Sequence, residues 1–147
     1  MPEQKRTANV TWEGGLMDGG GTITSVGSGA ISNLGVTWKA RAEASEGKTS
    51  PEELISAAHA SCYSMAFSGA LAGNQTPPQK LEVTATTTFT VGEGPPTISN
   101  IDLHVKGSVA GIDQAKFAEL AADAGQNCPV SRALKASVPI NVRAELA

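Results

Sequence analysis

The two cysteines are the side chains best suited to chemistry in this chain, and their settings differ. Cys62 lies in an uncharged run of small residues, whereas Cys128 directly precedes Pro129 after a polar break. A thiol within an apolar helix and a thiol at the start of another helix would form a dithiol redox site if the fold joined them. The alternative is that both cysteines are inert, small side chains of the core.

Cys62 needs outside help to become a nucleophile. A free thiol titrates at about pH 8.5, and burial raises its pKa further. The middle of a helix gains little from the helix dipole, so a cation must lie nearby. His59 is three residues earlier on the same helix face, while Arg41 and Arg132 could reach the thiol only through the fold. The other interpretation of His59 is a hydrogen-bonded helix residue.

Cys128 is predicted at a helix N-terminus, because Pro129 suits the first helical position. The free backbone N–H groups and the helix dipole at that end favour a thiolate. Such a thiol is a good disulfide partner. Many helix N-termini carry a cysteine without any chemistry, so this pattern alone is weak. The short helix is predicted to end near Lys135.

The long central helix decides what Glu52 could do. It is predicted to run from Pro51 to about Ala72, with Ser50 as its N-cap. Glu52 is ten residues before Cys62, which corresponds to about 15 Å of helical rise. Glu52 could therefore act on Cys62 only if a second copy of the helix ran alongside in the opposite direction. Otherwise it is a carboxylate that suits a helix N-terminus.

A zinc site is an alternative role for the same residues. His59 and Cys62 have the spacing of two ligands on one helix face, and Cys128 and His104 could complete four ligands. Against this, His104 falls on the predicted solvent-facing side of its strand, and no Cys-x-x-Cys motif is present. Such a site would support a zinc hydrolase.

The pattern of elements predicts an α+β domain. Alternating apolar and polar residues indicate strands, and segments rich in glycine or proline separate them. The first part is predicted to be a β-meander, followed by the long helix, a β-hairpin with one solvated face, helices and a final strand. The predicted strands are 8–12, 22–26, 35–42, 81–91, 101–105 and 138–142, and a helix capped by Asp113 is predicted to run to about Gly125 with Phe117 and Leu120 inward.

The composition limits which classes of protein this chain can belong to. The chain has 147 residues, 40% hydrophobic and 17% charged, with a net charge of −3, which suits one globular domain over 1–147. No basic patch indicates nucleic acid or an anionic membrane as a partner. The uncharged run 54–79 contains many serines, so we predict a helix buried in protein and not a membrane span. The N-terminal segment has no apolar signal pattern, which predicts a cytoplasmic protein.

Two long segments resemble a known family. The segment TSPEELISAAHASCYSMA at 49–66 resembles the first active-site segment of the OsmC/Ohr family, and CPVSRALK at 128–135 resembles the second. The turn beginning at Trp12 and the segment ending at Asp113 are similar to the OsmC branch. The resemblance covers nearly the whole chain.

This resemblance implies a thiol-dependent peroxidase that reduces organic hydroperoxides, and hydrogen peroxide less well, in oxidative stress defence. It implies that Cys62 is the peroxidatic cysteine, Cys128 the resolving cysteine, Glu52 the family glutamate and Arg41 the family arginine, in the strand before the long helix. Arg41 would stabilise the Cys62 thiolate, and Glu52 would hold Arg41. No metal, flavin or haem is implied, only an external dithiol reductant protein of lipoyl type.

The resemblance also implies an intertwined homodimer, with antiparallel sheets packed around central helices and the sites at the interface. This agrees with the helix spacing, which alone required a partner helix for Glu52. The alternative function is a non-catalytic dimeric binding protein that holds a hydrophobic ligand in the cleft between subunits. The presence of both Cys62 and Cys128 argues against it, because a simple pocket needs neither thiol.

Overall fold

Three antiparallel strands begin the chain in the computed structural model, which describes residues 1–147. They are β1 (Ala8–Glu13), β2 (Gly20–Val26) and β3 (Ser32–Val36), and they form a sheet in that order. The predicted β-meander is confirmed. Glycine-rich turns join the strands, and Gly14 has a φ of 85°, a conformation that residues with a side chain rarely adopt.

The segment predicted to extend this sheet over 35–42 contains a short helix instead, so Arg41 does not lie on a strand. Helix α1 spans Trp38–Ala42, and the Thr37 side chain caps it by accepting a hydrogen bond from the N–H of Ala40 at 3.0 Å. Lysine, alanine and arginine follow the cap and all favour helices. The apolar alternation of Val36 and Trp38 resembles a strand only over these few positions.

The long helix α2 spans Pro51–Gly73 and confirms the predicted start and end to within a residue. From His59 onward, its buried side chains recur every four residues, at Tyr63, Phe67 and Leu71, so one narrow stripe faces the core. Cys62 lies beside this stripe. No helix of the structure combines the length and the apolar character that crossing a membrane requires.

A second sheet follows in the order β4 (Lys80–Thr90), β5 (Thr97–Ser108) and β6 (Ile140–Leu146). Strands β4 and β5 form the predicted antiparallel hairpin. Strand β6 pairs with β5 in parallel, which corrects the expectation that both sheets are antiparallel. The physical reason is the helical connection between them, because a parallel pair needs a crossover that no short turn provides.

Two helices make that crossover. Helix α3 spans Gln114–Asn127, and the Asp113 side chain caps it by accepting from the N–H of Lys116 at 2.8 Å. Helix α4 spans Pro129–Leu134. Both helices agree with the sequence-based expectation. Cys128 lies between them, as the C-cap of α3 and the N-cap of α4.

The chain forms two compact units, Met1–Pro51 and Glu52–Ala147. In the second unit, Phe117 on α3 is fully buried, and its ring lies 5.0 Å from that of Phe67, measured between ring centroids. Strand β5 contributes Gly107 at this point, where a Cβ atom would lie only 2.5 Å from Cζ of Phe117. The core of this unit is therefore closely packed where α2, α3 and β5 meet.

Replacing Phe117 by alanine is expected to lower the free energy of unfolding by about 3–5 kcal/mol, because it removes a fully buried ring and leaves a cavity. Glu119→Ala on the same helix is the matched control, since Glu119 forms only an exposed ion pair with Lys116. That change should cost at most about 0.5 kcal/mol. Urea unfolding followed by circular dichroism measures both variants, and equal losses would contradict the packing described for Phe117.

Candidate active site

Helix α2 places Cys62 at the edge of the core of the second unit. The residue is partly exposed, whereas its neighbour Tyr63 is fully buried and donates a hydrogen bond to the carbonyl of Ala121 at 2.9 Å. This bond joins α2 to α3 and fixes the rotation of α2 about its axis. As a result, the Cys62 thiol stays close to the place where α3 ends and α4 begins.

Cys128 occupies the junction between α3 and α4. Its backbone N–H closes α3 by donating to the carbonyl of Ala124 at 2.9 Å. Its sulfur caps α4 by accepting from the backbone N–H of Ser131 at 3.3 Å. Cys128 is fully buried and Pro129 is the first helical residue, so the predicted N-cap position is confirmed.

The structure brings the two cysteines together. Both are free thiols, and the Cys128 thiol and the backbone N–H of Val130 lie close enough to Cys62 to shift the pKa of its thiol. Burial is the main cause that raises the pKa of Cys62; the Val130 N–H opposes it, and Cys128 raises it again. Burial therefore favours the neutral thiol at Cys62, and a thiolate there would need a nearby cation. Of the two arginines considered, Arg132 lies exposed on α4 and Arg41 lies on α1.

His59 is not that cation. It is fully buried, and burial lowers the pKa of its ring, which keeps the imidazole neutral at physiological pH. Its Nε2 lies 2.7 Å from the Ser131 hydroxyl oxygen. The suggestion that His59 supplies positive charge to Cys62 is thus wrong, and the interpretation as a hydrogen-bonded helix residue is confirmed.

Ser131 is a residue that the sequence did not single out. It is fully buried, and its hydroxyl accepts a hydrogen bond from the Cys128 thiol at 3.1 Å. The same hydroxyl is hydrogen-bonded to Nε2 of His59. The available signal was its position three residues after the cap Cys128, where a polar side chain can face back toward the cap.

Glu52 and Cys62 lie on one continuous helix, α2, ten residues apart. The corresponding rise is about 15 Å, so α2 does not bring the Glu52 carboxylate to the thiol of the same chain. Glu52 is nevertheless buried, with an exposed fraction of only 6%. A buried carboxylate at this end of α2 is consistent with a structural or catalytic use, and its role stays a prediction.

Arg41 lies in the first unit, on helix α1. Its side chain lines a pocket of about 120 Å³ whose wall includes two indole rings. An arginine beside aromatic and aliphatic walls suits a small molecule with an apolar body and a polar end. The other lining residues are Trp12, Leu16, Val36, Thr37, Trp38 and Pro51.

The four ligands considered for zinc do not converge. His104 lies on the solvent-facing side of β5, where its Nε2 is 3.1 Å from Glu145 on β6. No three histidine, cysteine, aspartate or glutamate side chains are grouped as metal ligands. His59 is oriented by Ser131 instead.

Comparison with known proteins identifies the family. The family described as OsmC-like protein matches residues 43–143. The chain is 36% identical over 130 residues to Peroxiredoxin OsmC of Escherichia coli strain K12, covering 88% of this chain and 90% of that one. It is 31% identical over 113 residues to Organic hydroperoxide resistance protein-like 1 of Staphylococcus saprophyticus, covering 75% and 77%.

The solved structures include a similar fold. The Organic Hydroperoxide Resistance Protein OhrB of Bacillus subtilis superimposes with a TM-score of 0.72 at 25% identity, over 96% of this chain and 98% of that one. The fold and the similarity to a peroxiredoxin define a peroxidase. The chain belongs to the OsmC-like protein family, as the resemblance in its two cysteine segments implied.

Proposed function

We propose that this chain reduces organic hydroperoxides, and hydrogen peroxide less well, with Cys62 as the peroxidatic and Cys128 as the resolving cysteine. The observation that carries the proposal is the proximity of the two thiols, one on α2 and the other at the cap of α4. The relatives named for organic hydroperoxide resistance support the choice of substrate. The proposed role is defence against oxidative stress.

The proposed cycle begins at Cys62. Its thiolate attacks the terminal peroxide oxygen, the O–O bond breaks, and the alcohol leaves after gaining a proton, so that Cys62 becomes a sulfenic acid. The Cys128 sulfur then attacks the Cys62 sulfur, the S–O bond breaks, and water leaves as the disulfide forms. An external dithiol reduces the disulfide by thiol exchange and returns both thiols. We propose a lipoyl-type reductant, no resident cofactor, and the cytoplasm as the setting.

Activation of Cys62 is the step that needs the remaining residues. Burial raises the pKa of this thiol, so the thiolate requires a cation close to the sulfur. We assign that role to Arg41, held by the carboxylate of Glu52 through a charge-assisted bond. Because Glu52 and Cys62 are separated along one helix, the glutamate that serves a given thiol is proposed to come from the second subunit of a homodimer.

The pocket of the first unit supports a preference for organic peroxides. Trp12, Leu16 and Trp38 give it apolar walls, and Arg41 gives it one cationic group. An alkyl or aryl hydroperoxide has an apolar body that such walls could cover and a peroxide end that a guanidinium could orient. Hydrogen peroxide has no apolar body and would gain nothing from these walls.

Titration of thiols tests the proposed pair directly. One equivalent of cumene hydroperoxide should remove two thiols from each chain of the unsubstituted protein without linking two chains covalently. In Cys128→Ser, the same treatment should remove one thiol and leave a sulfenic acid at Cys62, which dimedone traps for mass spectrometry.

Ser137→Ala is the matched control, since Ser137 is exposed just beyond α4 and its backbone N–H bonds to the carbonyl of Leu134. It should lose two thiols like the unsubstituted protein. An intramolecular disulfide cannot form in Cys128→Ser; if that variant turns over at the original rate with the dithiol, Cys128 is not the resolving cysteine. Failure of the unsubstituted protein to lose any thiol would favour a dimeric binding protein with an apolar cleft.

A further inference from the structure

A buried chain of hydrogen bonds connects Cys128 to an imidazole. The Cys128 thiol donates to the Ser131 hydroxyl oxygen at 3.1 Å, and that oxygen lies 2.7 Å from Nε2 of His59. All three side chains are fully buried. A hydroxyl oxygen that already accepts from the thiol has its own proton free to point at Nε2.

The other nitrogen of the ring makes this arrangement informative. Nδ1 of His59 is buried and has no hydrogen-bond partner, which costs about 1–3 kcal/mol for an unsatisfied polar group. An apolar side chain at this place on α2 would avoid that cost, so packing alone does not account for a histidine here. The nitrogen that does have a partner, Nε2, lies beside the Ser131 hydroxyl that accepts from Cys128.

From this geometry we infer that His59 is a proton acceptor for Cys128, acting through the Ser131 hydroxyl. As the Cys128 sulfur attacks the sulfur of oxidised Cys62, its thiol proton passes to the Ser131 oxygen. The proton of Ser131 passes in turn to Nε2 of His59. The electron pair of Cys128 forms the S–S bond, and the pair of the breaking S–O bond leaves with hydroxide.

The remaining protons balance over the full cycle. Hydroxide leaves on the side of Cys62, which is partly exposed, and takes a proton from solvent. When the dithiol reduces the disulfide, Cys128 leaves as a thiolate and recovers its proton from His59 through Ser131, while one proton of the dithiol goes to solvent. Burial lowers the pKa of the resting imidazole, so the ring is unprotonated and its Nε2 lone pair is available when each cycle begins.

Proton transfer to His59 explains how a fully buried thiol can attack. Cys128 lacks direct access to solvent base, and the backbone N–H that Ser131 donates to its sulfur stabilises charge on that sulfur but cannot remove a proton. His59 is therefore a positioning and proton-accepting residue for the resolving step. Its place in the peroxidase cycle rests on the proposed function, whereas its effect on the Cys128 thiol does not.

The test uses a disulfide in place of peroxide. The aromatic disulfide dithiobis(nitrobenzoic acid) reacts first with the partly exposed Cys62 and releases one thionitrobenzoate. Cys128 then attacks the mixed disulfide and releases a second, so absorbance follows the two steps separately. Thionitrobenzoate leaves without needing a proton, and the second rate thus reports proton removal from Cys128.

Ser131→Ala and His59→Gln should slow the second release by about 10²-fold or more and leave the first release unchanged. Ser131→Ala keeps the backbone N–H that donates to the Cys128 sulfur. In His59→Gln, the glutamine amide can still accept from Ser131 but cannot take its proton. Ser131→Thr keeps a hydroxyl and should restore the second rate. Ser64→Ala on α2 is the matched control and should change neither rate, since Ser64 bonds only to the carbonyl of Ala60.

The inference is overturned if Ser131→Ala or His59→Gln releases the second product at the unsubstituted rate, or if both steps slow together. It is also overturned if Ser131→Thr has native near-ultraviolet circular dichroism but is as slow as Ser131→Ala. Failure of the proposed function would look different. Cumene hydroperoxide would then leave Cys62 unoxidised. The rate of the second thionitrobenzoate release would still differ between the unsubstituted protein and the Ser131→Ala and His59→Gln variants.

Discussion

Cys62→Ser is expected to abolish peroxide consumption. A serine hydroxyl is not ionised near neutral pH and cannot form a sulfenic acid, so the first step of the proposed cycle has no nucleophile. The cysteine and serine side chains have the same shape and nearly the same size. Cys62 is also at the edge of the core, so the fold should be retained. Consumption of cumene or tert-butyl hydroperoxide with dihydrolipoamide as reductant measures the effect.

The neighbouring residue provides the control for this variant. Ser61 is exposed on α2 and bonds only to the carbonyl of Ala58, so Ser61→Ala should consume peroxide at the original rate. Thiol titration of Cys62→Ser should find Cys128 alone, and peroxide should not remove it, because that thiol is fully buried. Full peroxidase activity in Cys62→Ser would refute the assignment of Cys62.

Local signals explain why several elements were predictable from sequence. The start of α2 at Pro51 and the caps Asp113 and Cys128 depend on residues within one helical turn of each other. The hairpin of β4 and β5 depends on strict alternation along each strand. Each of these features is encoded by neighbours in the chain, and the structure confirms each one.

The features that sequence reasoning missed depend on contacts between distant residues or on very short elements. Helix α1 is only five residues long, so a single cap at Thr37 decides between helix and strand. The parallel pairing of β6 with β5 follows from where α3 and α4 carry the chain. Likewise, the hydrogen bond between His59 and Ser131 joins residues 72 positions apart, and no local sequence pattern predicts it.

Glu52 and Arg41 are intermediate cases. Helix geometry alone separated Glu52 from Cys62, and the continuous helix α2 agrees. The family resemblance assigns Arg41 to a strand. The structure corrects this element to helix α1 and places Arg41 in the wall of an apolar pocket. Their catalytic roles stay proposals, and Arg41 is the more accessible to a quantitative test.

Arg41→Gln is expected to reduce peroxidase turnover about ten- to thousandfold at neutral pH, because a cation within a few ångströms lowers a thiol pKa by about 1–3 units. The sign follows from the charge of the reactive form. Arginine stabilises the thiolate, so its loss raises the pKa of Cys62, which burial already raises. At a pH below that pKa, each further unit by which the pKa rises removes about nine tenths of the remaining thiolate.

The pH dependence of iodoacetamide alkylation at Cys62 measures this shift without any peroxide. In Arg41→Gln the alkylation profile should move to higher pH, and activity should recover partly as the pH rises. Lys39→Gln is the matched control on the same helix, since the Lys39 ammonium is exposed and lies 2.8 Å from Glu46. It should leave the profile and the turnover unchanged. If Arg41→Gln keeps the original profile, Arg41 does not stabilise the thiolate, and Arg132 becomes the next cation to replace.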